Sequence, residues 1–259
     1  MTSLHREQFE RIELMIGSAG LDRLQAATVT VVGLGAVGSY VVEALARAGV
    51  GRLRLVDYDV IQPSNINRQL FALWSTVGRK KCVVAAERVA AINPACQTEM
   101  LDLFVHTDTL ERLFADRPGI IVDAIDSLNP KTELLAAVTQ RQMPAVSSMG
   151  AALRSDPTRL AVGRLEEVTH CRLAMMLRKR LRRRGIEPTC PCVYSPEPVR
   201  EQRRSAVLPP DRSEANYFPQ GRRRSALGSL PTLTGMFGLA VANTVLLQIL
   251  GEGVGGNDQ

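Results

Sequence analysis

The run Thr28–Val32 is apolar and β-branched, and it leads directly into Gly33-Leu34-Gly35-Ala36-Val37-Gly38 and then a helical pattern over Ala36–Ala48. A buried strand ending in glycines at this spacing has few folds open to it. The first glycine permits a tight turn, the second lets a phosphate approach the backbone, and the third lets the helix pack on the strand. The N-terminus of that helix carries unpaired N–H groups and favours anions. A second apolar run, Leu53–Val56, ends on Asp57, within reach of a ribose hydroxyl. By itself the pattern indicates a nucleotide-binding βαβ unit and leaves a nicotinamide dehydrogenase open.

The alternation continues through the first half of the chain. A helix over Arg79–Ile92 ends at Asn93-Pro94, and strands follow at Gln97–Leu103, Ile120–Ala124 and Ala145–Met149, with a helix starting near Pro130. Apolar runs alternating with helical periodicity predict βαβ units. The expected class is α/β: a Rossmann-like, mostly parallel sheet with helices on both faces and a C-terminal extension packed on it. At 259 residues the chain suits a single domain. We divide it into a nucleotide-binding half, 1–150, and a substrate-binding and dimerisation half, 151–259. In the second half, Leu160–Arg164 reads as a strand and Ala174–Arg184 as a basic helix stopped by Gly185. Glu187–Pro198 is expected to be extended or looped, and 200–228 a mobile, charged loop.

Leu233–Leu250 is apolar and approaches the length of a membrane span. Asn243, Thr244 and Gln248 interrupt it and no basic flank follows, so a core helix is preferred to membrane association. Five cysteines without regular pairing, and a polar opening, lead us to expect a cytoplasmic protein with no stable membrane insertion.

The residues beyond Asp57 move the chemistry away from redox. Asp59, Ser64, Asn65, Asn67, Arg68 and Gln69 crowd one segment, and Lys81 stands at a helix start. Arginine and lysine in that place can hold β and γ phosphates and stabilise charge on a departing pyrophosphate. A nicotinamide site needs neither. Val122-Asp123-Ala124-Ile125-Asp126-Ser127 ends a strand on the same side of the sheet. A carboxylate there can bind magnesium through its remaining waters, or cap the next helix. Asp126, beyond the apolar run, is the preferred metal ligand, and Asp123 takes a structural or supporting role.

In this order, GxGxxG, DxDxxxxSNxNRQ, a lysine after Gly78-Arg79-Lys80, and DAIDS resemble the ubiquitin-activating-enzyme-like adenylyltransferases over about Phe9–Met149. The resemblance implies an ATP site built from Gly33, Gly35, Gly38, Asp57, Asp59, Asn65, Asn67, Arg68, Gln69, Lys81, Asp126 and Ser127. In it Asp57 holds the ribose, Asn65, Arg68 and Lys81 the phosphates, and Asp126 magnesium. It also implies a homodimer in which an N-terminal arginine reaches the phosphates of the other subunit. Phe9-Glu10-Arg11-Ile12-Glu13-Leu14 is similar to that segment, making Arg11 the candidate and Arg6 the alternative; either also reads as a helix-surface charge.

Two substrate classes compete within this superfamily. Activators of ubiquitin-like sulfur carriers commonly hold zinc on two CxxC pairs, and this chain has none; Cys190-Pro191-Cys192 is its nearest approach. The other class, the tRNA threonylcarbamoyladenosine dehydratases, is similar at Ile92-Asn93-Pro94, at Pro130-Lys131 and at Cys192-Val193-Tyr194-Ser195-Pro196-Glu197, which resembles a VYSxE signature. That resemblance implies ATP-dependent cyclisation of a modified adenosine through an adenylylated carboxylate, with Arg68, Lys81 and Arg11 catalytic. It admits a monovalent cation beside ATP and Mg2+, and a sulfur-transfer or carrier protein as a further partner. The net charge of +6 sits in the C-terminal part. Arg178, Lys179, Arg180, Arg182, Arg183 and Arg184 are the candidate tRNA-phosphate contacts, with a solvated helix face as the plainer reading.

Overall fold

In the first β strands, side chains alternate between two buried faces, so each strand needs helices on both sides. The computed structural model, which describes residues 7–116, 118–199 and 227–252, meets that need with one seven-stranded sheet. The strands are β1 (Thr28–Val32), β2 (Arg52–Val56), β3 (Gln97–Leu101), β4 (Ile120–Asp123), β5 (Ala145–Ser148), β6 (Ala161–Arg164) and β7 (Pro191–Tyr194). Their order is β3-β2-β1-β4-β5-β7-β6. All pairs are parallel except β6 with β7. Strands from both halves of the chain thus share one sheet.

The helices among the described residues are α1 (Glu10–Ala26), α2 (Gly38–Ala48), α3 (Lys81–Ile92), α4 (Leu110–Phe114), α5 (Leu128–Gln140), α6 (Arg172–Arg182) and α7 (Pro231–Leu250). Val29, Val31, Leu53, Leu55, Val122 and Val146 face a core built with α2, α3 and α7. Val32, Val56 and Ile121 face the opposite core, with α4 and α5. On that second face lies an unexpected charge. Arg54 is fully buried, beside Thr30 and Glu99 in register, and is held by Glu99 at 2.9 Å and by the Leu113 carbonyl at 2.7 Å.

The apolar C-terminal segment is a core helix. It begins at Pro231, and Leu233, Phe237, Val241 and Val245 are buried. Gly238 lets it approach α2 closely, because a Cβ there would sit 2.5 Å from the Val37 carbonyl oxygen.

Of the extended and looped readings of Glu187–Pro198, the extended one holds at Pro191–Tyr194: Cys192 and Val193 are fully buried and pair with Ser147 and Ser148. Its proline occupies the first strand position, where a missing N–H is tolerated. In addition, neither Asp123 nor Asp126 caps α5; Ser127 holds the N-cap position, without a side-chain cap bond. Most of the expected loop 200–228, with its arginines, lies outside the described residues, as does Arg6.

Candidate nucleotide site

Asp57, at the end of β2, organises the site. One carboxylate oxygen accepts the Leu34 N–H at 2.7 Å, and the other accepts the Asp59 N–H at 2.9 Å. The glycine turn after β1 has no slack. Gly33 has φ +91°, in the left-handed region, and a Cβ on Gly38 would lie 1.8 Å from the Gly33 carbonyl oxygen. The polar segment lies over this turn: Leu70 N–H donates to Ser39 Oγ at 3.1 Å, and the Gln69 amide nitrogen is 3.7 Å from where a Gly35 Cβ would be.

Asn65 is buried and turns the polar segment on itself. Its Oδ1 accepts from Gln62 N–H at 3.0 Å, and its carbonyl accepts from the N–H groups of Arg68 and Gln69. Half-buried Arg68 is steadied by the Ser64 carbonyl at 2.8 Å and by Asn67 Oδ1 at 3.0 Å. A short backbone zipper joins this segment to the start of α3: Val60 bridges to Lys80, and Lys81 N–H donates to the Asp59 carbonyl. It brings the Lys81 ammonium to 2.9 Å from Asp59 Oδ2, with Lys81 only 6% exposed. Burial pulls the Lys81 pKa down, but the charges of Asp57, Asp59 and Asp126 outweigh it and hold the group above the ordinary lysine range. Lys81 is therefore a buried, fully protonated cation facing three carboxylates.

The two aspartates at the end of β4 and in the turn beyond it differ in their surroundings. Asp123 is fully buried; it binds Lys131 Nζ at 2.8 Å, accepts from Ser147 Oγ at 2.7 Å and receives the Ile125 N–H at 3.2 Å. Lys131 also donates to the Ile125 carbonyl at 2.9 Å, so the pair pins the turn that carries Asp126. Asp126 itself is exposed. The sequence analysis gave Lys131 no role of its own; its signal was the Pro130-Lys131 pair, one turn into the helix after the DAIDS segment. Among the described residues no group of three or more potential ligands is arranged for a metal. Asp126 is the carboxylate that would hold a magnesium ion here, an ion commonly bound through one or two carboxylates with water and substrate phosphates.

Cys96, Cys190 and Cys192 are not set up as nucleophiles. Burial pushes the Cys190 thiol up to about 12 and Cys96 up to about 11, and raises Cys192 as well. Arg11 is exposed on the first turn of α1, next to Leu14 and Met15, which are 81% and 87% exposed.

On α6 and in the two residues after it the basic residues separate into two groups. Arg178 donates to the Leu165 and Val168 carbonyls, Arg180 to Asn129, and Arg184 forms a two-point pair with Glu133. Those three fasten the helix to its neighbours. Lys179, Arg182 and Arg183 are exposed and, with Met175 and Arg178, line one shallow concavity. Of the six candidate RNA contacts, Arg178 thus shares the concavity with these three outward cations, while Arg180 and Arg184 are engaged by Asn129 and Glu133.

The model of the ThiF family matches residues 7–258. The chain is 41% identical over 203 residues to the tRNA threonylcarbamoyladenosine dehydratase of Bacillus subtilis, covering 77% of this chain and 80% of that one. It is 31% identical to the Escherichia coli enzyme of the same name, with 95% of each chain covered. The crystal structure of E. coli tRNA N6-threonylcarbamoyladenosine dehydratase in complex with ATP superposes with a TM-score of 0.83 at 30% identity, covering 97% of both chains.

The geometry predicts opposite phenotypes for the two aspartates. Asp123→Ala, which strands the buried Lys131 charge, should cost about 3–5 kcal/mol of stability. Asp126→Asn, at an exposed position, should stay within about 0.5 kcal/mol. Urea unfolding of both variants checks this, and equal stabilities would contradict the assignment.

Proposed function

This chain belongs to the ThiF family, and on that premise we propose that it is an ATP-dependent tRNA threonylcarbamoyladenosine dehydratase. The carrying observation is the Lys81 cation, buried at the carboxyl end of the sheet beside the glycine turn and three carboxylates. A redox site has no use for it; an ATP-cleaving site does.

In the proposed reaction a carboxylate oxygen of the threonyl group attacks the α-phosphorus of ATP. The bond from that phosphorus to the bridging oxygen breaks, and pyrophosphate leaves. An internal nitrogen or oxygen of the modified adenosine then attacks the acyl carbon, gives up its proton to solvent and expels AMP. The departing AMP keeps one carboxylate oxygen, so the nucleoside has lost one water overall. The second step is intramolecular and benefits from high effective molarity without a protein nucleophile. The buried, weakly acidic thiols agree with that.

Each residue has a place in this scheme. The glycine turn and the start of α2 receive phosphate, and Asp57 retains lone pairs for the ribose beyond the two N–H groups it holds. Asn65, whose oxygen closes its own turn, offers its amide. Arg68 and Lys81 stabilise charge moving onto pyrophosphate. Mg2+, held by Asp126, would neutralise the triphosphate further. We place the chain in the cytoplasm as a homodimer in which Arg11 of each subunit reaches the other's phosphates, with the exposed Leu14 and Met15 in the contact. Lys179, Arg182 and Arg183 provide tRNA phosphate contacts. A sulfur-carrier substrate is the weaker reading, since the chain has no CxxC pair.

The test is incubation with ATP, Mg2+ and threonylcarbamoyl-modified tRNA, followed by mass analysis of the nucleosides. The wild type should yield the nucleoside lighter by one water. Arg68→Ala and Lys81→Ala should each slow that conversion by about 3 kcal/mol, on the order of a hundredfold. Wild-type rates in both variants would remove the phosphate-clamp assignment. Exchanging Lys179, Arg182 and Arg183 together for glutamine should weaken tRNA binding and flatten its salt dependence by about one logarithmic slope unit per lost phosphate contact. An unchanged slope in a titration of tRNA binding against salt would take the interface off α6.

A further inference from the structure

We infer that the loop 150–156, clamped by Glu197, forms the wall of the active site that receives the modified adenosine, and that Glu197 is a positioning residue for that substrate. The inference deepens the dehydratase reading and rests on it. In an open parallel sheet, ligands bind outside the carboxyl ends of the strands. The turns leaving β1, β2 and β4 carry the nucleotide machinery. β5 lies next to β4, β7 lies next to β5, and both run parallel to it. The turns leaving them therefore open at the same end, on the side away from Asp57. A carboxylate that has to reach the α-phosphorus while its nucleoside stays outside the ATP site has that side left to it.

The two turns are built as one rigid piece. Met149 N–H donates to the Val193 carbonyl at 2.8 Å. Glu197, only 7% exposed, accepts the N–H groups of Ser155 at 2.8 Å and Asp156 at 3.0 Å, and the Ser155 hydroxyl at 3.0 Å. Arg154 is 4% exposed and donates to the His170 carbonyl at 2.7 Å. Between these anchors Leu153 has φ +64° and His170 φ +52°, a conformation that side-chain-bearing residues rarely adopt. Leu153 N–H reaches the Gly228 carbonyl at 2.9 Å and so ties in the approach to α7. Strained backbone of this kind persists where its surroundings over-determine it, and it clusters at ligand sites. A carboxylate removed from water to receive three donors from one turn fixes that turn's shape more tightly than chain closure requires.

The experiment compares Glu197→Gln and Leu153→Gly with the wild type in steady-state conversion of modified tRNA, varying tRNA and ATP separately, with thermal unfolding as the fold control. Glu197→Gln should raise KM for tRNA by about tenfold, the effect of losing charge-assisted hydrogen bonds, and leave KM for ATP unchanged. Leu153→Gly removes the left-handed strain, so its Tm should hold at or above wild type while KM for tRNA still rises. An active wild type matched by both variants, or losses shared equally between tRNA and ATP, would overturn the clamp alone. A wild type that forms no cyclised nucleoside would overturn the dehydratase reading and this one with it.

Discussion

The carboxylate of Asp57 holds two turns at once, through the N–H groups of Leu34 and Asp59. Bonds from N–H groups to a carboxylate are stronger than neutral ones, each contributing about 1.5–3 kcal/mol. The remaining geometry follows from them. With Leu34 fixed, the glycine turn cannot open, and α2 begins where Gly38 fits beneath the Gly33 carbonyl. With Asp59 fixed, the backbone zipper to Lys80 and Lys81 is in register, and the lysine ammonium lands on Asp59. One side chain at a strand end thus couples the phosphate-binding turn to the cation that faces it.

A second, independent restraint comes from the Asp123–Lys131 pair. Buried ion pairs add little net stability, because desolvating two charges offsets most of their attraction. Their value here is in shape. Between them the two side chains hold the N–H and the carbonyl of Ile125, which fixes the chain direction from the end of β4 to Asp126. The exposed aspartate and the buried one, three residues apart, therefore stand in different surroundings: Asp123 has the Lys131 ammonium against it inside the core, and Asp126 is exposed at the mouth of the site, where its charge acts on Lys81.

Much of this was legible in the residues. The glycine spacing, Asp57 at the strand end and Lys81 at a helix start depend on short-range chemistry and stand where the sequence placed them. What escaped was long-range. Prolines around Cys192 left extended and looped readings both open, and what decides is a buried ladder that Cys192 and Val193 complete with β5, some forty-five residues earlier in the chain. Arg178, Arg180 and Arg184 read like their exposed neighbours until α5 and the turns near Leu165 and Val168 supplied partners. Arg54, inside the run Leu53–Val56, is one of the largest fully buried side chains. For each of these arginines a polar side chain is satisfied by a group that periodicity cannot bring near.

The central claim is that this site joins a carboxylate to AMP before the ring closes, and the fate of one oxygen tests it most directly. Modified tRNA whose threonyl carboxylate carries oxygen-18 would be converted with unlabelled ATP and Mg2+, and the AMP, pyrophosphate and water analysed by mass. Adenylylation predicts that one labelled oxygen from each carboxylate appears in the phosphate of AMP. Label recovered in pyrophosphate or released into water, with AMP unlabelled, would contradict it.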